Sequence, residues 1–147
     1  MLWKPSHHIH SIAIDSMCFI YHFEKNPKYH RLVDYLFSLI TQKNKLGITS
    51  VITLSETLTV AKKIDASLLF RVQYKSVMLA MHNLRMIDVT LDIAQKAAEL
   101  RSVHGLHLGD AIQLATAFDQ QVDLFVTNDL QFRKIKEMNV AILDDLL

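Results

Sequence analysis

The sequence is poor in the residues that break or staple a chain. It has one cysteine, Cys18, with three glycines and two prolines among 147 residues. A single cysteine rules out an internal disulfide and suits a reducing compartment. So little Gly and Pro excludes a collagen-like, low-complexity or disordered chain. No apolar run approaches the ~18 residues that a membrane span needs. Met1–His10 holds Trp3, Lys4, Pro5 and three histidines but lacks the apolar stretch of a signal peptide. The expectation is a soluble, cytoplasmic protein with no membrane partner. Nor is there an excess of one charge: 16 Lys and Arg stand against 15 Asp and Glu, a net +1. A polyanionic partner would therefore have to be met by a local basic patch.

What the chain does have is apolar patterning. Half of its residues are hydrophobic, which at this length supports one ordinary domain. Ile9–Ile14, Ile48–Thr49, Met86–Val89, Leu124–Val126 and Val140–Leu143 read as strands. Between them, apolar residues recur at helical steps, as at Leu32, Val33, Leu36, Leu39 and Ile40. Val51–Ile64 and Leu108–Phe118 read as helices. Asn26-Pro27 stops the first helix, Asp65 caps one over Ala66–Met81, Thr90 caps the next and Gly105 ends it. Alternating strands and helices predict an α/β domain with a central parallel sheet of four or five strands flanked by helices on both faces. With no linker and no internal repeat, residues 1–147 are expected to form a single domain, with 1–8 a loose N-terminal extension.

Four acids fall where strands give way to helices, or shortly into a helix: Asp15, Glu56, Asp110 and Asp129. Ligands of open parallel sheets bind beyond the carboxyl ends of the strands; Asp15 follows the first strand directly and Asp129 follows the fourth by two residues. Glu56 shares a helix stripe with Ile52 and Val60, an awkward setting for a carboxylate unless it is paired or metal-bound. Each acid has an ordinary alternative. Asp15 could be an N-cap, Asp110 a dipole-favoured residue of a first helical turn, Asp129 a turn residue and Glu56 an exposed helix residue. Those readings account for each residue but not for four of them falling where one pocket could collect them. Carboxylates crowded into one cleft need a cation to stay ionised together. A hard divalent ion with oxygen ligands supports hydrolysis of phosphodiesters without a Ser–His–Asp triad, and no triad is apparent.

Other residues point less clearly. His7-His8-x-His10 could bind zinc or nickel, although no Cys or carboxylate close in sequence completes such a site. His104 and His107 flank Gly105 just before Asp110. Arg133 and Lys134, with Lys136, follow Asp129 and could guide a phosphate strand toward the acids, or simply line a solvated helix face.

At these residues the chain resembles the PIN domain family, and is most similar to the VapC-type toxins of toxin–antitoxin modules. The matching pieces are Ile12–Ser16, Ser50–Glu56, Leu108–Ala117 and Phe125–Asp129, of which Asp-Ala-x-x-x-Ala-Thr-Ala followed by Thr-Asn-Asp is the most specific. The resemblance implies a Mg²⁺- or Mn²⁺-dependent endoribonuclease, with Asp15 and Asp110 as main metal ligands. It implies that Glu56 completes the site or positions the attacking water, and that Asp129 supports a second metal or the water. Ser16, Thr127 and Asn128 would hold the acids. An RNA substrate, a small cognate antitoxin and a homodimer are the implied partners. Gly109, before Asp110, departs from many relatives. Other readings are a PIN nuclease of RNA processing without an antitoxin, a non-catalytic RNA- or protein-binding module, and a receiver-like phospho-acceptor. The last would want a Lys directly after Ile142, and none is there.

Overall fold

A computed structural model describes residues 3–64 and 68–147. The expected cap Asp65 and the expected helix start Ala66 lie outside the described residues.

Among the described residues there are five strands and six helices, with a pair of helices after each of the first three strands. They are β1 (Ser11–Ile14), α1 (Ser16–Phe23), α2 (His30–Thr41), β2 (Leu46–Ser50), α3 (Val51–Ile64), α4 (Leu68–Ala80), β3 (Leu84–Ile87), α5 (Leu91–His104), α6 (Leu108–Asp119), β4 (Leu124–Thr127) and β5 (Val140–Ile142). Short 3₁₀ turns follow β4 and β5, at Leu130–Lys134 and Leu143–Leu146. The strands form one sheet in the order β3-β2-β1-β4-β5, every pairing parallel.

Side-chain alternation along β1 explains the two layers of core. Ile12 and Ile14 enter a cluster with Phe19, Leu36, Ile40 and Met78, whereas Ala13 enters one with Ile93, Leu100, Leu114 and Phe125. Helices α1, α2 and α4 therefore cover one face, and α5 and α6 the other. Trp3 packs against the first cluster. Close approach of α2 to β2 depends on Gly47, where a β-carbon would stand 2.8 Å from Ile40 Cδ1.

The helix ends follow local chemistry. Thr90 Oγ1 accepts from Ile93 N at 3.2 Å to start α5, and Gly105, at φ 67°, closes it in the left-handed region. Strand β3 lies two residues earlier than the apolar run Met86–Val89 suggests. Its register is set by Gly47 pairing with Leu84, and Asp88 and Val89 lead on to the Thr90 cap. Among the described residues no helix is long and apolar enough to cross a membrane.

The sequence of strands reverses direction across the sheet at β1. Numbering runs 3-2-1 on one side and 4-5 on the other, so the loops leaving β1 and β4 part to opposite faces and open a crevice between them. Asp15 stands at the end of β1 and Asp129 just past the end of β4.

Candidate active site

The crevice is built from the carboxyl end of β1 outward. Asp15 is the N-cap of α1 and is buried. Its Oδ1 accepts from Ser16 N at 2.7 Å and from Ser16 Oγ at 3.2 Å, and its Oδ2 accepts from Thr127 Oγ1 at 2.6 Å. Burial raises this carboxyl above its ordinary value. The hydrogen bonds from Thr127 and Ser16 offset part of that, and repulsion from Asp129 adds to it.

Glu56 is brought to the same place by α3, the helix that follows β2 without a loop. Its Oε2 accepts from Ser16 Oγ at 3.0 Å, so one hydroxyl touches two carboxylates. Its Oε1 is buried and accepts no well-formed hydrogen bond, although the Gln113 side chain stands near enough to favour the charged carboxylate. Burial raises its pKa, and Asp15 and Asp110 both add repulsion against the counteracting Ser16 bond. Gly109 backs onto this orphaned oxygen: a β-carbon there would stand 3.5 Å from Oε1. The glycine before Asp110 thus leaves space beside Glu56.

Asp110 lies in the first turn of α6, where the helix dipole favours a negative charge. Burial nevertheless raises its pKa, followed by repulsion from Asp15 and Asp129, with relief from His107 and Gln131. Gln131 is the residue that sequence patterning misses. Its amide Nε2 donates to Asp110 Oδ2 at 3.1 Å and to Asp129 Oδ2 at 2.6 Å, bridging the two acids. Asp129 caps the 3₁₀ turn by accepting from Gln131 N at 3.0 Å, and its own N–H donates to Thr127 Oγ1 at 3.1 Å. The only sequence signal for Gln131 is its place two residues after an Asp that can form such a turn.

All four acids are therefore joined through three neutral side chains. Ser16 links Asp15 to Glu56, Thr127 links Asp15 to the Asp129 backbone, and Gln131 links Asp129 to Asp110. Beneath them runs a buried polar chain, also unforeseen. Gln113 donates to Thr53 at 2.7 Å, Thr53 shares a 2.6 Å bond with Thr49, and Thr49 donates to Ile14 O at 2.8 Å. It secures the carboxyl end of β1 to α3 and α6. Among the described residues no three His, Cys, Asp or Glu side chains are drawn in around one point as a closed coordination shell. Neutral donors fill the gaps between the acids instead.

The remaining sequence candidates lie elsewhere. Asn128 touches none of the acids: its Nδ2 donates to Tyr21 OH at 3.3 Å and its Oδ1 accepts from Asp144 N at 3.0 Å. Arg133 pairs with Asp145, and Lys134 donates to His104 O, so neither head group points at the acids. His104 faces Glu137 at 3.1 Å. His7, His8 and His10 are exposed and precede β1.

Because Thr127 serves both Asp15 and Asp129, Thr127→Val should be costly despite its matched shape. It leaves a buried carboxylate oxygen and an N–H unpaired, a loss of about 1–3 kcal/mol. A urea melt should show the lowered midpoint, and an unchanged one would mean that water replaces the hydroxyl.

Comparison with known proteins agrees with this architecture. A family model described as PIN domain matches residues 12–138. VapBC2 from Rickettsia felis, solved bound to a DNA fragment from its promoter, is similar at 20% identity and a TM-score of 0.68, over 90% of this chain and 98% of that one. A toxin–antitoxin complex from Klebsiella pneumoniae is similar at 25% identity and a TM-score of 0.66, over 90% and 97%. VapC20 of Mycobacterium tuberculosis, a sarcin-ricin loop cleaving toxin, is similar at 20% identity and a TM-score of 0.70, over 85% and 95%. No curated protein matches the chain.

Proposed function

The chain belongs to the PIN domain family, and on that premise we propose that it is a divalent-metal-dependent endoribonuclease, the toxin of a toxin–antitoxin pair. The observation that carries this reading is the ring of Asp15, Glu56, Asp110 and Asp129 around the crevice, with Glu56 Oε1 buried and unpartnered inside it. Three of the four have pKa values raised by burial and mutual repulsion. An all-oxygen, negatively charged donor set with one orphaned acceptor suits a hard cation such as Mg²⁺ or Mn²⁺.

In this reading Asp15 and Asp110 hold the ion, with Glu56 completing the site and Asp129 supporting a second ion or the attacking water. A bound divalent ion supplies the charge that activates water and neutralises the phosphate in flight. Ser16 and Thr127 fix the Asp15 carboxylate so that its oxygens do not have to be ordered during binding. Glu56 Oε1, which accepts no well-formed hydrogen bond, can orient the attacking water and take its proton, and the raised pKa of Glu56 equips it to hold that proton. Gln131 keeps Asp110 and Asp129 apart yet aligned.

A small antitoxin as partner is supported by the toxin–antitoxin complexes among the similar structures. A homodimer belongs to the same proposal. Purified protein should cleave RNA when Mg²⁺ or Mn²⁺ is added and cease when EDTA removes it, read as fragments on a denaturing gel. Cleavage undiminished by EDTA would overturn the metal-dependent reading. Growth arrest on expression, relieved by coexpressing a small protein from the neighbouring gene, would separate a toxin from a processing nuclease.

A further inference from the structure

Opposite the acids, at the end of the sheet where β1 and β2 begin, lies a cavity of about 480 Å³ whose charged lining is entirely basic. Lys4, His7 and His10 come from the segment before β1, Lys43 and Lys45 from the turn before β2, and Tyr35 from α2. No carboxylate lines it. Asp123, beside His10, is occupied by the backbone N–H groups of His10 and Ser11 and by the Ser11 hydroxyl. Lys45 Nζ donates to Ile9 O, which fastens the N-terminal segment over the start of β2 and gives the cavity a fixed wall.

Elsewhere several cations have acidic partners: Lys28 with Asp144, Lys96 with Glu99 and Arg133 with Asp145. Among the described residues no ion pair involves Lys4, Lys43 or Lys45. In a chain of net charge +1, unneutralised cations gathered in one concavity make a local field that attracts anions. The volume falls within the roughly 300–1,000 Å³ of ligand sites and accommodates a nucleotide unit.

We propose that this cavity is a second contact site for the phosphates of RNA, remote from the acids, and that it captures a substrate too long to be held by the crevice alone. The proposal rests on the nuclease reading for its choice of polyanion. The four residues of β1, at roughly 3.3 Å each, separate the two sites by at least ~13 Å. A folded or extended RNA can therefore engage both sites, whereas a dinucleotide, with its single phosphate in the crevice, cannot.

The test compares wild type, the Lys4→Ala/Lys43→Ala double variant and Asp110→Asn, with EDTA present so that nothing is cut. Binding of a fluorescently labelled single-stranded RNA of about 25 nucleotides is followed by anisotropy across a salt series. Losing two phosphate contacts should lower the slope of log K against log salt by about 1.4 and weaken binding about tenfold. Asp110→Asn, which removes a negative charge from the crevice, should not lower the slope. With Mg²⁺ restored, dinucleotide cleavage by the double variant should match wild type, which reports an intact fold and crevice. Equal affinity and slope for wild type and double variant would overturn the proposal. So would inorganic pyrophosphate binding that depends on Lys4 and Lys43 while RNA affinity does not. If the double variant loses RNA binding yet wild type cuts no RNA, the second site stands and the nuclease reading alone fails.

Discussion

Asp110→Asn is expected to lower RNA cleavage at least ~100-fold while leaving the protein folded, an effect of the size seen when one preorganised charge-stabilising group is removed. Asp110 is the cleanest of the four acids to change. It is only half-buried, and Gln131 is its one described side-chain partner. The amide of Asn keeps its shape and removes the charge. Asp15→Asn should be as damaging to cleavage but less clean, because Asp15 accepts three hydrogen bonds and an amide nitrogen would face either Ser16 or Thr127 donor to donor. That conflict should cost a further ~1–3 kcal/mol of stability. The pair of variants therefore separates chemistry from folding: cleavage assays should rank both near zero, and urea melts should set only Asp15→Asn apart. Folded Asp110→Asn protein that cuts RNA at the wild-type rate would sink the assignment.

Without divalent metal, the protein should lose stability as pH rises above the ordinary carboxylate values of 3.8 and 4.5, and Mn²⁺ should reverse the loss. The sign follows from linkage. Asp15, Glu56 and Asp110 have folded pKa values raised above 3.8, 4.5 and 3.8 respectively, chiefly by burial. Below those ordinary values both folded and unfolded chains are protonated and nothing is lost. As pH climbs past them, the unfolded chain releases protons that the folded one still holds, so stability falls until the folded acids ionise too. Asp123 and Asp144 are shifted the other way, down from 3.8, so their contribution is lost only in more acid solution, outside this window. Asp110→Asn removes one of the three raised acids and should flatten the profile, and comparison with it cancels other groups that titrate in the same range. Saturating Mn²⁺ at about 100 times its Kd would stabilise by about 2.7 kcal/mol, a rise of roughly 5–10 °C in Tm for a chain of this size. A melting temperature indifferent to Mn²⁺ at neutral pH would leave the crowded acids without their cation.

How much of this was readable beforehand depends on how local the cause is. Helix α3 spans Val51–Ile64, the same range that periodicity gives, because no competing signal interrupts it. The ends of β1 and β4 were readable because an apolar run stops abruptly at Asp15 and at Thr127-Asn128-Asp129. Thr90 and Gly105 act through their own backbone and immediate neighbours, so their roles were visible too. What was not visible is what distant stretches do to one another. Gln131 reaches Asp110 across 21 positions and Gln113 reaches Thr53 across 60, and neither bond has a periodicity that betrays it. Asn128, adjacent to two residues of the crevice, turns away because the extended chain at the end of β4 alternates its side chains between faces. Arg133 and Lys134 follow Asp129 closely in sequence, yet the 3₁₀ turn directs them to Asp145 and His104.

The placement of β1 between β2 and β4 carries a further consequence for how such a molecule is made. A ribosome delivers Asp15 first, but the hydroxyl that secures it belongs to Thr127, 112 residues later. Until β4 emerges, β1 has a vacant flank, and Asp129 and Gln131 do not yet exist. A chain made in this order has an incomplete crevice through most of its own translation, and its four acids can meet only once the final stretch clears the exit tunnel.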